Sequence, residues 1–99
     1  MKEIKLTRGL VALVSDEDFE RVAQFQWYAN PGRRYGFSQM FYARCRAAGY
    51  MHRFIMNYPG HKVVDHIDGN GLNNQRENLR VVTTAENNQN KRKVEEPFL

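Results

Sequence analysis

The sequence predicts one α+β domain, a small antiparallel β-sheet with a short helix, followed by a strand–loop–strand–helix unit. Three observations carry that prediction. Short apolar runs in the first half alternate with polar residues and are separated by Gly and Pro, as in strands joined by turns. The acidic cluster Asp16-Glu17-Asp18 precedes Phe19, Val22 and Ala23 at helical spacing. Finally, the stretch VVDHIDGNGLNNQRENLRVVTTAEN sets two short apolar runs around a polar loop and ends on capping-box spacing. A 99-residue chain is one domain rather than two, and burying roughly 60–65% of its unfolded surface suffices for a modest core.

The elements follow in order. EIKLTRGLVALV, residues 3–14, reads as a β-hairpin turning at Thr7-Arg8-Gly9. Ser15 or Asp16 can cap a short helix over about 16–24. Phe25, Trp27 and Ala29 alternate as a strand, which Asn30-Pro31-Gly32 should end in a turn. An aromatic-rich strand is expected over about 35–46, broken by Gly49, and MHRFIM reads as a short helical or irregular segment with Met51, Phe54 and Ile55 inward. Asn57, Pro59 and Gly60 make the next turn. Val63-Val64 lead a strand into Asp65-His66, Asp68 to Gly71 form a loop, and Leu79, Val81 and Val82 form the returning strand. Thr83 caps a helix with Glu86 in the third position. The tail from Lys91 is expected to fray. Residues 1–58 therefore make a sheet-and-helix part, 59–92 the strand–strand–helix unit and 93–99 a flexible tail, all within one compact body.

Composition narrows the function classes. A net charge of +4, rich in arginine, suits a polyanionic partner, and for a small basic domain that is usually nucleic acid. The single cysteine, Cys45, allows no intrachain disulfide and no Cys-x-x-Cys zinc clamp. With no signal-peptide pattern and no bilayer-length apolar run, the expectation is a cytoplasmic protein without a membrane partner.

The residues at 65–87 suit phosphodiester hydrolysis. That reaction needs a base to deprotonate water and positive charge to neutralise the phosphorane and the departing oxygen. Histidine has the right pKa for the base, and Asp and Asn oxygens suit Mg²⁺ or Mn²⁺. Asp65 and His66 are adjacent, so an extended backbone sends their side chains to opposite faces.

The pattern VDHIDGNGLNN-x-x-x-NLR-V-x-T-x-x-EN resembles the ββα-metal motif of the HNH endonucleases, in the subgroup related to phage homing endonucleases. LTRGLVALV, DEDFERV, the WYA and YAR strands and MHRFIM resemble the same subgroup, so the likeness runs from about Lys2 to about Lys91. It implies His66 as general base, Asn78 as the residue orienting it, and Asp65 and Asn87 as ligands of one Mg²⁺ or Mn²⁺ ion. It further implies cleavage of double-stranded DNA to 5′-phosphate and 3′-hydroxyl ends, by nicking or, in a homodimer, by cutting both strands. Larger homing enzymes of this type carry helix-turn-helix segments after the motif and this chain does not, so site-specific homing is not expected. The zinc-binding cysteines of some HNH proteins are also missing, so no structural zinc is expected.

Other residues admit competing readings. Asn88 and Asn90 rival Asn87 as the last ligand, and only the family register favours Asn87. Asn70, Asn73 and Asn74 suit turn-making, and Asp68 suits capping the loop. Arg33, Arg34, Arg44 and Arg46 flank an aromatic strand that could lie in a DNA groove, in a sheet similar to the three-stranded DNA-binding domains of plant transcription factors. Arg53, Arg76 and Arg80 are candidate phosphate contacts. His52 either faces phosphate or satisfies a buried backbone group, His61 reads as a solvated loop residue, and Trp27, Tyr28, Phe41 and Tyr42 as core. Two alternatives to a free-standing nuclease remain: a DNA-binding or regulatory module that keeps the fold with little catalysis, and an accessory nuclease targeted by a phage packaging or replication partner.

Overall fold

The computed structural model describes residues 1–86. The expectations for Asn87, Asn88, Asn90 and the tail lie outside the described residues. Strand β1 (Lys2–Lys5) pairs antiparallel with β2 (Val11–Val14), in the register Lys2 with Val14 and Lys5 with Val11. The connection is a 3-10 turn at Thr7–Gly9, where Arg8 takes φ 63° and Gly9 φ 70°. A second 3-10 turn at Asp16–Asp18 runs into helix α1 (Phe19–Ala23), whose Val22 is fully buried. The expected hairpin and short helix are both present, but the helix is confined to Phe19–Ala23, the acidic cluster forms the 3-10 turn before it, and neither Ser15 nor Asp18 makes a side-chain cap bond.

The next segment departs from expectation. Asn30-Pro31-Gly32 does not end a strand. Strand β3 (Tyr28–Tyr35) runs straight through it, with a register shift between Pro31 and Arg34 against β4 (Ser38–Cys45). The sheet order β3–β4–β5, with β5 at Gly49–Tyr50, explains why this works. Pro31 sits on the edge strand, where a missing N–H costs no ladder bond, and the bulge absorbs the irregularity. The aromatic segment is accordingly two strand halves joined at Gly36-Phe37, where Gly36 has φ 60°. Phe25 and Trp27 also lie before the strand rather than in it.

Helix α2 (Met51–Ile55) forms as expected and buries Met51 and Ile55 completely. Strand β6 (Val63–His66) pairs antiparallel with β8 (Leu79–Val82), placing Asp65 opposite Arg80 and His66 opposite Leu79. Between them the polar loop holds an unexpected strand, β7 (Asn73–Asn74), which pairs parallel to β2 through Leu13–Asn73 and Val14–Asn74. The sheet begun at the N-terminus is therefore completed by the loop that follows His66. Thr83 caps the next helix: its hydroxyl accepts the Glu86 N–H at 3.2 Å and donates to Glu86 Oε1 at 3.2 Å.

One core serves all of these elements. Ile4, Val14, Val22, Trp27, Ala43, Met51, Ile55, Val64 and Leu79 are buried together. Trp27 satisfies its indole N–H on the Val22 carbonyl at 2.8 Å. Beside the core, the buried Asp18 carboxylate accepts bonds from Arg76 Nε and Nη2 at 3.0 Å and from Arg21 Nη2 at 3.1 Å. These charge-assisted bonds tie the first helical turn to the segment before β8. No helix among the described residues is long and apolar enough to cross a membrane.

Candidate active site

Alternation along β6 sends Val64 and His66 inward and leaves Asp65 half-buried on the other face, as an extended backbone requires. His66 is 8% exposed. Its Nε2 lies 2.7 Å from Asn74 Oδ1, and Asn74 is fully buried. The Asn74 amide nitrogen points the other way, toward Met51 Sδ at 3.3 Å, which suits an N–H donor and leaves the oxygen for histidine. Nε2 therefore carries the proton and Nδ1 the lone pair. Nδ1 has no protein partner among the described residues and is not sealed from solvent. Burial holds the His66 pKa below the ordinary value, against opposing effects of the Asn74 bond and the Asp65 and Asp68 charges. The ring is neutral at neutral pH.

Asn78 does something other than expected. It does not bond His66. Its Nδ2 donates to Asp68 Oδ1 at 2.9 Å and to the Asn73 carbonyl at 2.8 Å, while its Oδ1 accepts the Asp68 N–H at 3.1 Å. Asn78 thus braces the loop after β6. The register explains the difference: Leu79 faces His66 across the ladder, which leaves Asn78 beyond the strand end. Asp68 also accepts from the Asn70 N–H and Asn73 Nδ2. Burial raises its pKa, but the bonds from Asn73, Asn70 and Asn78 outweigh that and lower it overall. Asp68, Asn70 and Asn73 are loop-builders as expected, whereas Asn74, expected to make a turn with them, lies in β7 and bonds His66.

A wall of rings covers His66. His52 lies edge-on at 4.8 Å between centroids and Tyr42 at 5.8 Å, with Tyr50 behind His52 at 5.5 Å. Tyr42 is a wall of this site rather than plain core. A Cβ on Gly71 would run into the Phe41 carbonyl and stand 2.7 Å from Tyr42 Cδ1, so glycine is what lets the loop close on β4. Among the described residues His52 bonds no backbone group: its Nδ1 is buried without a protein partner, and burial first, then the nearby His66 and Arg53 charges, lowers its pKa to about 3.

Asp65 Oδ2 accepts a 2.7 Å bond from Arg80 Nη2, and Oδ1 has no partner among the described residues. A carboxylate with a free oxygen suits a hard divalent cation, and Asn87, the other expected ligand, lies outside the described residues. No cluster of three His, Cys, Asp or Glu side chains that could hold a metal ion occurs among the described residues.

The arginines divide. Arg53 donates to the carbonyls of Gly60 and Lys62, and Arg76 to the Asp18 carboxylate, so both side chains also hold the fold together. Arg80 borders the site but is paired with Asp65. Arg44 is exposed, bonding the Tyr28 hydroxyl at 3.0 Å and lying over the Tyr50 ring. Arg33, Arg34 and Arg46 are exposed with no ion pair among the described residues. His61 is exposed in its loop.

Residues 50–89 match the sequence model of a family described as HNH endonuclease. No curated protein and no solved structure matches the chain. The matched span begins at β5, runs through α2, β6, β7 and β8, and takes in His52, Asp65, His66, Asn74 and Asn78. Through this segment, and through the paired strands and capped helix start that carry it, residues 50–89 are similar to the HNH endonuclease family.

Proposed function

We propose that the chain is a metal-dependent endonuclease that hydrolyses phosphodiester bonds of duplex DNA. The observation that carries the proposal is the single imidazole pinned at Nε2 and open at Nδ1, one residue from a carboxylate with a free oxygen, within an HNH unit. In this reading His66 Nδ1 takes the proton from the attacking water. Asn74 holds the ring in the required tautomer and accepts the N–H that becomes more acidic as the imidazolium forms. The ring wall restricts water to one approach. Asp65 and Asn87 would hold Mg²⁺ or Mn²⁺, and the chemistry such an ion supplies is charge neutralisation at the scissile phosphate and departing 3′ oxygen. The products are a 5′-phosphate and a 3′-hydroxyl. A lone copy nicks one strand.

Supercoiled plasmid with Mg²⁺ or Mn²⁺ tests this directly. The wild-type protein should convert it to the relaxed form, and His66→Ala should slow that conversion by about 10²–10⁴-fold, the usual worth of a general base. Equal nicking by the mutant would remove His66 from the mechanism. Duplex binding without cleavage under either ion would recast the chain as a DNA-binding module.

A further inference from the structure

The β3–β4 ribbon has an end that the fold does not use. Residues 33, 34 and 36–38 are exposed, and Phe37 at the turn is 105% exposed, far beyond the other exposed large apolar side chains. Gln39 bonds only carbonyls of the ribbon itself, at Gly32, Arg33 and Met40. A two-stranded ribbon without support on either face is marginal in water, so a bare tip of this kind is completed by what it binds. Charge says what that is. Between residues 21 and 64 there is no Asp or Glu at all, while seven Lys and Arg fall in the same span. Arg33 and Arg34 sit on the tip strand beside Phe37. A second copy would be repelled by the same charge, and one Phe offers too little apolar surface for a membrane.

The ribbon is also rooted in the candidate site. Tyr42 of β4 lies against His66, and Gly71 lets the catalytic loop close on Phe41 and Tyr42. Five residue steps along the chain separate Tyr42 from Phe37, a reach of about 17 Å at strand rise. That is about five base pairs of duplex, at roughly 3.4 Å each.

We propose that the ribbon is a DNA-spacing arm, with Phe37 inserted as a wedge at a base step about five base pairs from the phosphate at His66 and Arg33 and Arg34 on the flanking backbone. Apolar wedges of this kind unstack a step and kink the duplex. The distance rests on the endonuclease reading; the insertion does not.

The test uses the full chain in EDTA, with a duplex containing a mapped nick site and 2-aminopurine placed at successive positions. Wild-type protein should raise the fluorescence at one step, about five base pairs from the nick. Phe37→Ser, a change at a fully exposed position, should keep the wild-type melting curve, abolish that signal and weaken binding by about tenfold. Arg33→Gln with Arg34→Gln should reduce the slope of log K against log salt by about two. If Phe37→Ser binds and unstacks like wild type, or if the tip crosslinks to a second copy in preference to DNA, the proposal is overturned. A Phe37-dependent signal on a random duplex from a protein that never nicks would uphold the wedge while the endonuclease reading failed, so the two failures are separable.

Discussion

Asn74 and Asn78 lie four residues apart, both buried, both amides, and their side chains serve different ends. Asn74 spends its oxygen on His66, whereas Asn78 spends both amide groups on the loop at Asp68 and Asn73. If Asn74 sets the tautomer, Asn74→Leu should move His66 from the Nε2–H form toward a mixture, read from its ¹⁵N ring shifts. Nicking should fall by about 10–100-fold, the usual effect of losing such an orienting partner. Asn74→Asp keeps an acceptor oxygen and should keep the Nε2–H form. Asn78→Ala should leave the His66 shifts in place and cost about 1–3 kcal/mol of unfolding free energy, because it strands loop donors and acceptors. A wild-type tautomer in Asn74→Leu would contradict the assignment. Arg80 shows the same economy: it occupies one oxygen of Asp65 and leaves the other free.

At the scale of elements, the site depends on a loop that reaches two sheets. β7 closes on β2 while Gly71, just before it, lies against β4. Gly71 is not one of the positive-φ glycines, so its requirement is space. Gly71→Ala should therefore destabilise by about 1–3 kcal/mol through overpacking, measured by urea unfolding, and should lower nicking by displacing Tyr42 from His66. A variant as stable and active as wild type would show that the loop has room to give. The contrast between legible and illegible elements has a physical basis. The β6–β8 pair, α2 and the Thr83 cap were readable because local spacing encodes them. β7 was not, because two asparagines carry no strand propensity and their pairing partner lies some sixty residues upstream. Asn30-Pro31-Gly32 has turn chemistry, and only the sheet order reveals that Pro31 is on an edge. Asp65 and His66 could be named from sequence as neighbours with complementary chemistry, while the Asn74 contact exists only once the loop has folded back.

For the molecule as a whole, building the site into the core makes stability depend on pH. His52 is held at a pKa of about 3, chiefly by burial, and His66 is lowered in the same direction. An unfolded histidine titrates near 6.5, so between about 6.5 and 3 the unfolded chain binds the His52 proton that the folded chain refuses. Stability must then be full above about pH 6.5 and fall as pH drops through that window. From pH 7 to pH 5 the loss from one such histidine is about 2 kcal/mol. Asp68, whose carboxyl is lowered, adds a loss in the same sense at lower pH, as the carboxylate that the loop amides hold becomes protonated. Urea unfolding in EDTA at pH 7 and pH 5 measures the sum. His52→Phe keeps a ring beside Tyr42 and Tyr50 and removes one titrating group, so its acid sensitivity should be smaller by about 2 kcal/mol over that interval. The same sensitivity in wild type and His52→Phe would mean that the imidazole takes up its proton without unfolding, and that the wall around His66 opens to water more readily than its packing implies.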